Sequence, residues 1–211
     1  MTATVDAVRL GVSGCGHDRT GAGLTDGRYV LTSAALVAGA QTVQVTNAQG
    51  KQVTGRVVAL DPDTDVAWVY APGLPSVRIG PAQRSDRVVP AYVFTYRTDG
   101  TPVTYRAQTL ERTKTSTHDV FAEHPVSRDI YRLHLDAAVN APVTGAPVLD
   151  SSGNLLGIVG SEQTGDARTL DVVAGDDVAR SAATLSLSGH DPATMATSAG
   201  TRCAPAVSAS S

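Results

Sequence analysis

Thr144 lies in the stretch of this sequence whose residue types could most readily perform catalysis. Residues 140–160 combine a glycine-containing turn, a proline, two apolar residues, a hairpin turn at 150–154 and a second apolar segment. A hydroxyl group in such a turn is a candidate nucleophile, but an unactivated hydroxyl reacts poorly unless a general base accepts its proton. The chemistry therefore depends on whether the rest of the chain supplies a base.

Short strands separated by turns are the elements that would position this hydroxyl. In the first half, residues 20–27 are predicted as a glycine-containing loop, and segments rich in valine or threonine predict strands at residues 5–12, 29–32, 43–46, 52–60, 66–70 and 76–79. The second half repeats the pattern at residues 88–95, 101–111, 119–122, 129–135, 147–149, 155–160 and 169–173. Two sets of about six short strands predict an all-β fold of two antiparallel barrels or sandwiches.

One convincing helix signal follows the last of these strands. Asp176 is a candidate N-cap, and the helix is predicted to run through the following alanines to about Leu185. Beyond it the chain is rich in Ser, Ala, Thr and Gly, so residues 188–202 are predicted to be poorly structured and residues 204–211 disordered. We therefore predict three parts of the chain: a first barrel at 1–82, a second barrel with its closing helix at 83–187, and a tail at 188–211.

The composition excludes some classes of partner. The 211 residues are 42% hydrophobic and carry a formal charge of −3 with a pI near 5.9, so the chain can bury a globular core and has no basic field to recruit nucleic acid. No segment approaches the roughly 18 apolar residues that span a bilayer. Asp6 and Arg9 also interrupt the beginning of the sequence, where a secretion signal needs an apolar core. We expect neither nucleic-acid binding nor direct membrane insertion by these residues.

Cys15 and Cys203 are the two cysteines of the chain. A pair of isolated cysteines without a Cys-x-x-Cys spacing is a poor metal site, and we expect no cofactor. The residues alone leave two alternatives, two free thiols or one long-range disulfide. A disulfide would place the domain in an oxidising, extracytoplasmic compartment.

Three ordered segments resemble the N-terminal landmarks of the chymotrypsin-fold serine proteases: Gly21-Ala-Gly-Leu, Asp26-Gly-Arg-Tyr-Val-Leu-Thr-Ser-Ala-Ala-Leu-Val and Asp61-Pro-Asp-Thr-Asp-Val-Ala-Trp-Val. The stretch around Thr144 resembles the Gly-Asp-Ser-Gly-Gly-Pro nucleophile turn of the same trypsin-like family. Over almost the whole chain, the similarity is to the extracytoplasmic domain of the membrane-anchored periplasmic serine proteases of mycobacteria and their relatives.

The resemblance implies an architecture and a location. The architecture is two antiparallel six-stranded β-barrels with a short C-terminal helix. The resemblance also implies a disulfide that joins Cys15, near the first strand, to Cys203 in the tail. We expect an extracytoplasmic domain, in the periplasm or cell envelope, that is tethered by a membrane segment outside these residues.

Compared position by position, the resemblance leaves one of the three catalytic residues in place. Thr32 to Leu36 match the Thr-Asn-Ala-His-Val segment that carries the general base, so Ala35 replaces the histidine. Asp65 matches the aspartate that orients this histidine, and Thr144 replaces the nucleophilic serine. Ala35 has no nitrogen to accept a proton, and the extra methyl group of threonine restricts its hydroxyl.

The oxyanion region is altered as well. In this family the backbone N–H groups of the nucleophile and of the residue two positions before it stabilise the oxyanion, which assigns the region to Pro142, Val143 and Thr144. Proline has no N–H to donate. The loss of one oxyanion donor typically costs about 3 kcal/mol of transition-state stabilisation.

A relocated base is the remaining route to hydrolysis. The resemblance places no histidine or lysine in a cleft-lining segment, and we expect each histidine to be exposed or structural. The candidates are His118, His124, His134, Lys51 and Lys114.

Three hypotheses about function follow. The first is an inactive protease homologue that binds an extended peptide or a protein of the cell envelope, with Gly160, Ser161 and Glu162 as the strand that pairs with the peptide backbone. The second is a peptidase of atypical mechanism that uses Thr144. The third is a structural domain without peptide binding, which a loop at 139–143 filling the cleft would favour.

Overall fold

The computed structural model of the chain describes residues 7–40, 42–75, 87–161, 165–184 and 202–204. The elements of the first half are β1 Ala7–Gly14, β2 His17–Thr25, β3 Tyr29–Thr32, α1 Ala34–Val37, β4 Thr42–Thr46, β5 Gln52–Asp61 and β6 Val66–Tyr70. Those of the second half are β7 Pro90–Tyr96, β8 Pro102–His118, β9 Pro125–Leu135, β10 Pro147–Asp150, β11 Leu155–Val159, β12 Thr169–Ala174 and α2 Gly175–Thr184.

The strands close into two antiparallel six-stranded β-barrels that share one strand order. The first barrel is β1-β2-β3-β6-β5-β4, and the second is β7-β8-β9-β12-β11-β10, which is the same cycle in the second half of the chain. Alternation directs one face of each strand inward, as in β1, where Val8, Leu10 and Val12 are at most 2% exposed. The predicted fold of two six-stranded barrels with a short C-terminal helix is confirmed.

A cluster of apolar side chains joins the two barrels. Its members come from β2, β3 and β6 of the first barrel and from β10, β11, β12 and α2 of the second half: Leu24, Leu31, Val66, Leu149, Leu155, Ile158, Val173 and Val178. Each of them is at most 6% exposed. Because burial of apolar area is the main stabilising term in folding, the barrels are joined by the same kind of packing that fills each interior.

The β8–β9 hairpin reaches from the second barrel to the first. Val120 at its tip belongs to the hydrophobic core of the first barrel, and its N–H donates to Pro62 O at 3.0 Å in the turn between β5 and β6. The buried Arg128 of β9 donates from Nε to Asp63 O at 2.6 Å and from Nη2 to Pro62 O at 3.0 Å. The hairpin therefore fixes the turn that precedes β6.

Charged side chains attach α2 to the same hairpin. Asp177 in the first turn of α2 is buried, and its Oδ2 accepts the N–H of Asp129 at 3.0 Å. Arg112 of β8 lies 2.6 Å from Asp176 and 3.3 Å from the carboxylate of Asp129. The helix is thus held against the second barrel by an ion-pair network as well as by Val178.

Two segments differ from the sequence-based predictions. Most of the predicted loop at 20–27 forms β2, in which Gly21 and Gly23 pair with β1. Glycine is needed at both positions because neighbouring groups approach too closely for a side chain. Residues 119–122, predicted as a strand, form the turn at the tip of the β8–β9 hairpin, where Ala122 has a φ of 58°. Glycine therefore marks close approach in β2 rather than a turn.

The helices also depart from expectation. The sequence does not predict α1, because four residues are too few to show a helical period. α2 begins at Gly175, so Asp176 lies inside its first turn rather than at the predicted N-cap. None of the helices among the described residues has the length and apolar character that a membrane crossing requires. The predicted strand at 76–79, the predicted boundary at residue 82 and the tail apart from residues 202–204 lie outside the described residues.

The disulfide implied by the resemblance is present. Cys15 Sγ and Cys203 Sγ are bonded across a sequence separation of 188 residues. Gly39, which follows α1, lies directly against the bond, and a Cβ at this position would be 2.0 Å from Cys15 Sγ. The neighbouring Arg202 lies over the ring of Phe121 at 4.2 Å from its centre. Arg202 and Cys203 therefore contact both the first barrel and the hairpin tip.

Removal of the disulfide tests its contribution to stability. We expect Cys203→Ser and Cys15→Ser each to lower the free energy of unfolding by about 2–5 kcal/mol, because the bond constrains a very long loop in the unfolded chain. Urea unfolding of the wild type and both variants, with and without reductant, measures the effect. Reductant should bring the wild type to the level of the variants and leave the variants unchanged. Equal stability of the oxidised wild type and Cys203→Ser would contradict this expectation.

Candidate functional site

The carboxylate of Asp65 is buried between the two barrels. Its Oδ1 accepts hydrogen bonds from Ser33 Oγ at 2.7 Å and from Ala35 N at 2.9 Å, and its Oδ2 accepts the N–H of Ser161 at 2.8 Å. The residue is 1% exposed. Two donors belong to the first half of the chain and the third directly follows β11. A buried carboxylate without donors is strongly destabilising, so these three bonds explain how the charge is accommodated.

The turn between β5 and β6 aims this carboxylate. Asp61 Oδ1 accepts the N–H groups of Asp63 at 3.1 Å and Thr64 at 3.2 Å, so the chain turns immediately after β5. Asp65 then adopts a φ of 57°, in the left-handed region that aspartate enters more readily than most residues. Its carbonyl accepts the N–H of Ala34 at 3.2 Å. Main chain and side chain of Asp65 therefore both bind the start of α1.

Ala35 presents a methyl group at the position to which the resemblance assigns the general base. Ser33 precedes α1 in an extended conformation, and its hydroxyl binds Asp65 instead of capping the helix. Arg19 of β2 donates to Ala35 O at 2.9 Å and to the carbonyl of Ala38. Partial burial of its guanidinium lowers the pKa of Arg19. The short helix is thus fixed by Asp65 at its start and by Arg19 at its end.

Thr144 lies in a tight turn that contacts the first barrel. Ala146 N donates to Val143 O at 2.9 Å, and Gly145 has the positive φ, 77°, that such a turn requires. Ala22 N of β2 donates to Thr144 O at 3.0 Å. Thr144 is half-buried, and its hydroxyl makes no hydrogen bond with any residue that the structure describes.

Close packing at two glycines brings this turn against β2, the end of β3 and α1. A Cβ on Gly145 would lie 2.1 Å from Thr32 Oγ1. A Cβ on Gly21 would lie 2.5 Å from Thr144 O and 2.6 Å from a methyl group of Leu36. The segment that carries Ala35 and the turn that carries Thr144 therefore both pack against Gly21, as two parts of one site.

The predicted oxyanion region continues from this turn. Pro142 lacks a backbone N–H, and its carbonyl accepts the hydroxyl of Thr95 on β7. Val143 is buried in the core of the second barrel, and Val139 and Ala141 pack against the same core. The side chains of this loop therefore pack onto the second barrel.

The predicted alternative bases make their contacts elsewhere. His118 ends β8 and His134 lies on β9, and both are exposed. His124 lies at the hairpin tip with its Nε2 3.0 Å from Asp63 Oδ1. Among the residues described, none of these rings forms a hydrogen bond with Asp65 or with Thr144.

The two lysines predicted as alternative bases also form no hydrogen bond with Thr144 within the described residues. Lys51 donates from Nζ to the carbonyl of Gly73 in the first half of the chain. Lys114 is exposed on β8. Neither lysine forms a hydrogen bond with Thr144 in the part of the chain that the structure covers.

Gly160 and Ser161 lie where the sequence predicts the peptide-binding strand. Gly160 N donates to Asp171 O at 3.1 Å, and Ser161 is held by its bond to Asp65. Glu162, the third predicted residue, lies outside the described residues. A pocket with an empty volume of about 350 Å³, part of it open to solvent, adjoins these residues and Asp65.

One wall of this pocket comes from residues that sequence reasoning missed. Thr115 and Thr117 line it, but the predicted strand ends at 111 because residues 112–118 contain no apolar side chain to alternate. Pairing with β9 extends β8 to His118. The β-branched threonines at every second position, 113, 115 and 117, were the available signal.

The fold and these residues define a trypsin-like peptidase domain, and the chain belongs to this family. A family model described as a trypsin-like peptidase domain matches residues 19–158. Serine protease Rv3671c of Mycobacterium tuberculosis is 33% identical over 155 residues, which cover 71% of this chain and 38% of that protein. A putative serine protease, HhoB of Synechocystis, is 32% identical over 145 residues, or 66% of this chain and 33% of that protein. The matches thus span less than two fifths of either relative's length.

Two solved protease structures are similar to this chain in fold. The crystal structure of the active form of the Rv3671c protease superposes with a TM-score of 0.77 and 27% identity, covering 88% of this chain and 83% of that one. The MamO protease domain of Magnetospirillum magneticum has a TM-score of 0.67 at 18% identity, over 86% of this chain and 98% of that one, which supports the fold alone. The similarity to a mycobacterial serine protease is confirmed.

Replacing the buried carboxylate tests how strongly the site depends on it. We expect Asp65→Asn to lower the free energy of unfolding by about 2 kcal/mol, because one carboxylate oxygen becomes a donor that faces another donor. Asparagine tolerates the left-handed backbone, so the change isolates the hydrogen bonds. The exposed Asp136 provides the control, and Asp136→Asn should change stability by less than about 0.5 kcal/mol in urea unfolding. Equal effects of the two substitutions would show that Asp65 does not join the barrels.

The contact between Gly145 and Thr32 is tested by a pair of glycines with similar backbones. Gly145 and Gly153 have φ values of 77° and 83°, but a Cβ on Gly153 would meet nothing within 4 Å. Gly153→Ala should therefore cost only the backbone strain of about 1–2 kcal/mol, whereas Gly145→Ala should cost at least about 2 kcal/mol more. Thermal or urea unfolding distinguishes them, and equal losses would mean that the turn is not packed against the first barrel.

Proposed function

We propose that this domain is a catalytically inactive homologue of the trypsin-like serine proteases that binds an extended peptide or a protein of the cell envelope. The observation that carries the proposal is the methyl group of Ala35 beside Asp65. Ala35 donates its backbone N–H to the Asp65 carboxylate, but it offers no imidazole to take a proton from the hydroxyl of Thr144.

The contacts of Asp65 support a structural role for this carboxylate. Ser33, Ala35 and Ser161 supply three neutral donors to its two oxygens, so both oxygens have hydrogen-bond partners without a histidine. The aspartate keeps its geometry because it holds the barrels together, and not because it orients a base. An intact aspartate therefore does not argue for an intact mechanism.

The segment before Thr144 weakens the case for hydrolysis further. Pro142 cannot supply the second oxyanion donor, and its carbonyl is held by Thr95. The loss of one such donor typically lowers the rate by a factor on the order of 100 to 1000. This cost adds to that of the missing base.

The edge after β11 supports the binding part of the proposal. Gly160 and Ser161 are anchored to β12 and to Asp65, so their backbone is a rigid start for a strand that a peptide could extend. Val139, Ala141 and Val143 pack onto the core of the second barrel, which favours an open cleft over one filled by this loop.

An extracytoplasmic location fits the covalent structure. A disulfide between Cys15 and Cys203 persists in oxidising compartments and is rarely stable in the cytoplasm. The net charge of −3 gives no reason to expect nucleic acid as a partner. The tether by a membrane segment outside these residues is part of the same proposal and rests on the resemblance.

A peptidase of atypical mechanism is the second candidate. The hydroxyl of Thr144 is half-buried, and it is free of hydrogen bonds to the described residues, so it is available for reaction if a base reaches it. Such a base would have to come from a side chain that moves towards Thr144 or from outside the described residues.

Hydrolysis assays separate the two candidates. We expect the wild type and Thr144→Ala to give the same rate as buffer with a broad fluorogenic peptide library and with an activated ester, because no base activates the hydroxyl. Thr144→Ala, purified in the same way, controls for contaminating proteases. Turnover by the wild type that Thr144→Ala abolishes would overturn the inactive assignment and favour the atypical peptidase.

Peptide selection tests the binding part. We expect a displayed peptide library to yield sequences that bind the wild type, and fluorescence polarisation to show at least tenfold weaker binding by Thr144→Arg, since an arginine at this position would obstruct the cleft. Ser152→Arg, on the exposed turn between β10 and β11, is the matched control and should bind like the wild type. Failure to enrich any peptide relative to Thr144→Arg would favour the purely structural domain.

A further inference from the structure

Three side chains of metal-binding type converge beside the turn that carries Asp65. Asp63 lies in this turn of the first barrel, whereas Asp119 and His124 flank the tip of the β8–β9 hairpin of the second barrel. One ligating atom of each lies within 4.8 Å of those of the other two. His124 Nε2 is 3.0 Å from Asp63 Oδ1, and His124 Nδ1 is 3.9 Å from Asp119 Oδ2.

Asp119 differs from an ordinary surface carboxylate because its side chain is 1% exposed. Its Oδ1 accepts the N–H groups of Glu123 at 2.6 Å and His124 at 3.3 Å, which close the hairpin tip. Its Oδ2 is buried and accepts no hydrogen bond within the described residues. A buried carboxylate oxygen without a donor is strongly unfavourable, so this atom lacks the partner that its burial calls for.

The charge state of Asp119 suits a ligand. Burial by itself raises its pKa, but the backbone N–H groups of Glu123 and His124 and the nearby His124 ring outweigh this, so the pKa of Asp119 is lowered from its ordinary value. The carboxylate is therefore ionised at neutral pH, with Oδ2 on the side of the His124 ring.

We propose that Asp63, Asp119 and His124 form a binding site for a first-row divalent cation of the Zn²⁺ type. Two carboxylates and one imidazole are a mixed oxygen and nitrogen set that Zn²⁺ accepts with few ligands. Ca²⁺ requires six to eight oxygen ligands and Mg²⁺ a nearly ideal octahedron, which these three side chains do not provide. The remaining position at the cation is left to water.

Different nitrogens of the His124 ring face the two aspartates, Nε2 towards Asp63 and Nδ1 towards Asp119, so the ring must rotate until one nitrogen faces both carboxylates. Zn²⁺ bonds of roughly 2.0–2.2 Å in a tetrahedron place ligand atoms roughly 3.4 Å apart. The side chains of Asp63 and His124 are 55% and 52% exposed, so they can move around the fixed carboxylate of Asp119. On binding, an imidazole nitrogen donates its lone pair to the cation and releases any proton it carried to solvent.

A cation here would act on the contact between the barrels. It would bind a turn that already receives Val120 and Arg128 from the hairpin and would add a direct link at Asp63. Asp65, two residues further on, keeps its own three donors. The site is therefore distinct from the candidate peptidase site and adjacent to the turn that positions it.

Calorimetric titration of the tag-free, oxidised chain with ZnCl₂ at pH 7.5 tests the proposal. Because both cysteines are in the disulfide, no thiolate competes for the metal. We expect one Zn²⁺ per chain, with affinity reduced at least tenfold in His124→Gln and in Asp119→Asn, which keeps the Oδ1 acceptor. The exposed His134 provides the control, and His134→Gln should bind within twofold of the wild type.

Asp63→Asn keeps the test valid if substitution of the buried Asp119 impairs folding. Because Asp63 is exposed, its substitution should weaken Zn²⁺ binding without lowering the stability of the metal-free protein. Absence of saturable binding by the wild type would overturn the proposal. So would unchanged affinity in His124→Gln, an equal loss in His134→Gln, or binding of CaCl₂ or MgCl₂ as tight as that of ZnCl₂.

Discussion

The buried carboxylate of Asp65 is the interaction on which the arrangement of the site depends. A negative charge removed from water must be matched by donors, and here they come from both barrels: Ser33 and Ala35 on one side and Ser161 on the other. Satisfying the charge therefore fixes the start of α1 and the end of β11 relative to each other. Asp65 keeps a φ of 57° because these hydrogen bonds offset the energetic cost of that backbone conformation.

Under the proposed function, this constraint accounts for a peptidase-like site that has no base. In the trypsin-like mechanism the aspartate orients an imidazole, but in this chain the same carboxylate accepts three hydrogen bonds from donors that belong to the fold. Ala35 can replace histidine without leaving Asp65 unsatisfied. The turn of Thr144 is held independently by Ala22 and by close packing at Gly145. The shape of the site is thus separable from its chemistry.

The sequence predicts much of the fold because the side chains of short strands follow a recognisable pattern. β3 and β6 are predicted with the bounds that the structure has, since both are dense in β-branched and aromatic residues. Most of β2 is predicted as a loop instead, because Gly21 and Gly23 are typical turn residues when only local conformation is considered. The end of β8 is not predicted, because its residues are polar on both faces of the strand. Pairing with β9 places them in the sheet.

The residues of the candidate site likewise divide into those that the sequence predicts and those that only the structure shows. Ala35, Asp65 and Thr144 are predicted as site residues from local motifs, whereas Ser33 and Ser161 carry no sequence signal that they bind Asp65. The cluster of Asp63, Asp119 and His124 is created by the hairpin tip crossing to the first barrel, and no spacing in the sequence indicates it.

The most direct measurement of the central claim is the intact mass of the wild-type chain after incubation with excess fluorophosphonate, which reacts with an activated hydroxyl. An active trypsin, treated in parallel, verifies the reagent. We expect the wild type to remain unmodified, because Ala35 leaves Thr144 without a base. A single stoichiometric adduct that maps to Thr144 would show an activated nucleophile and contradict the inactive assignment.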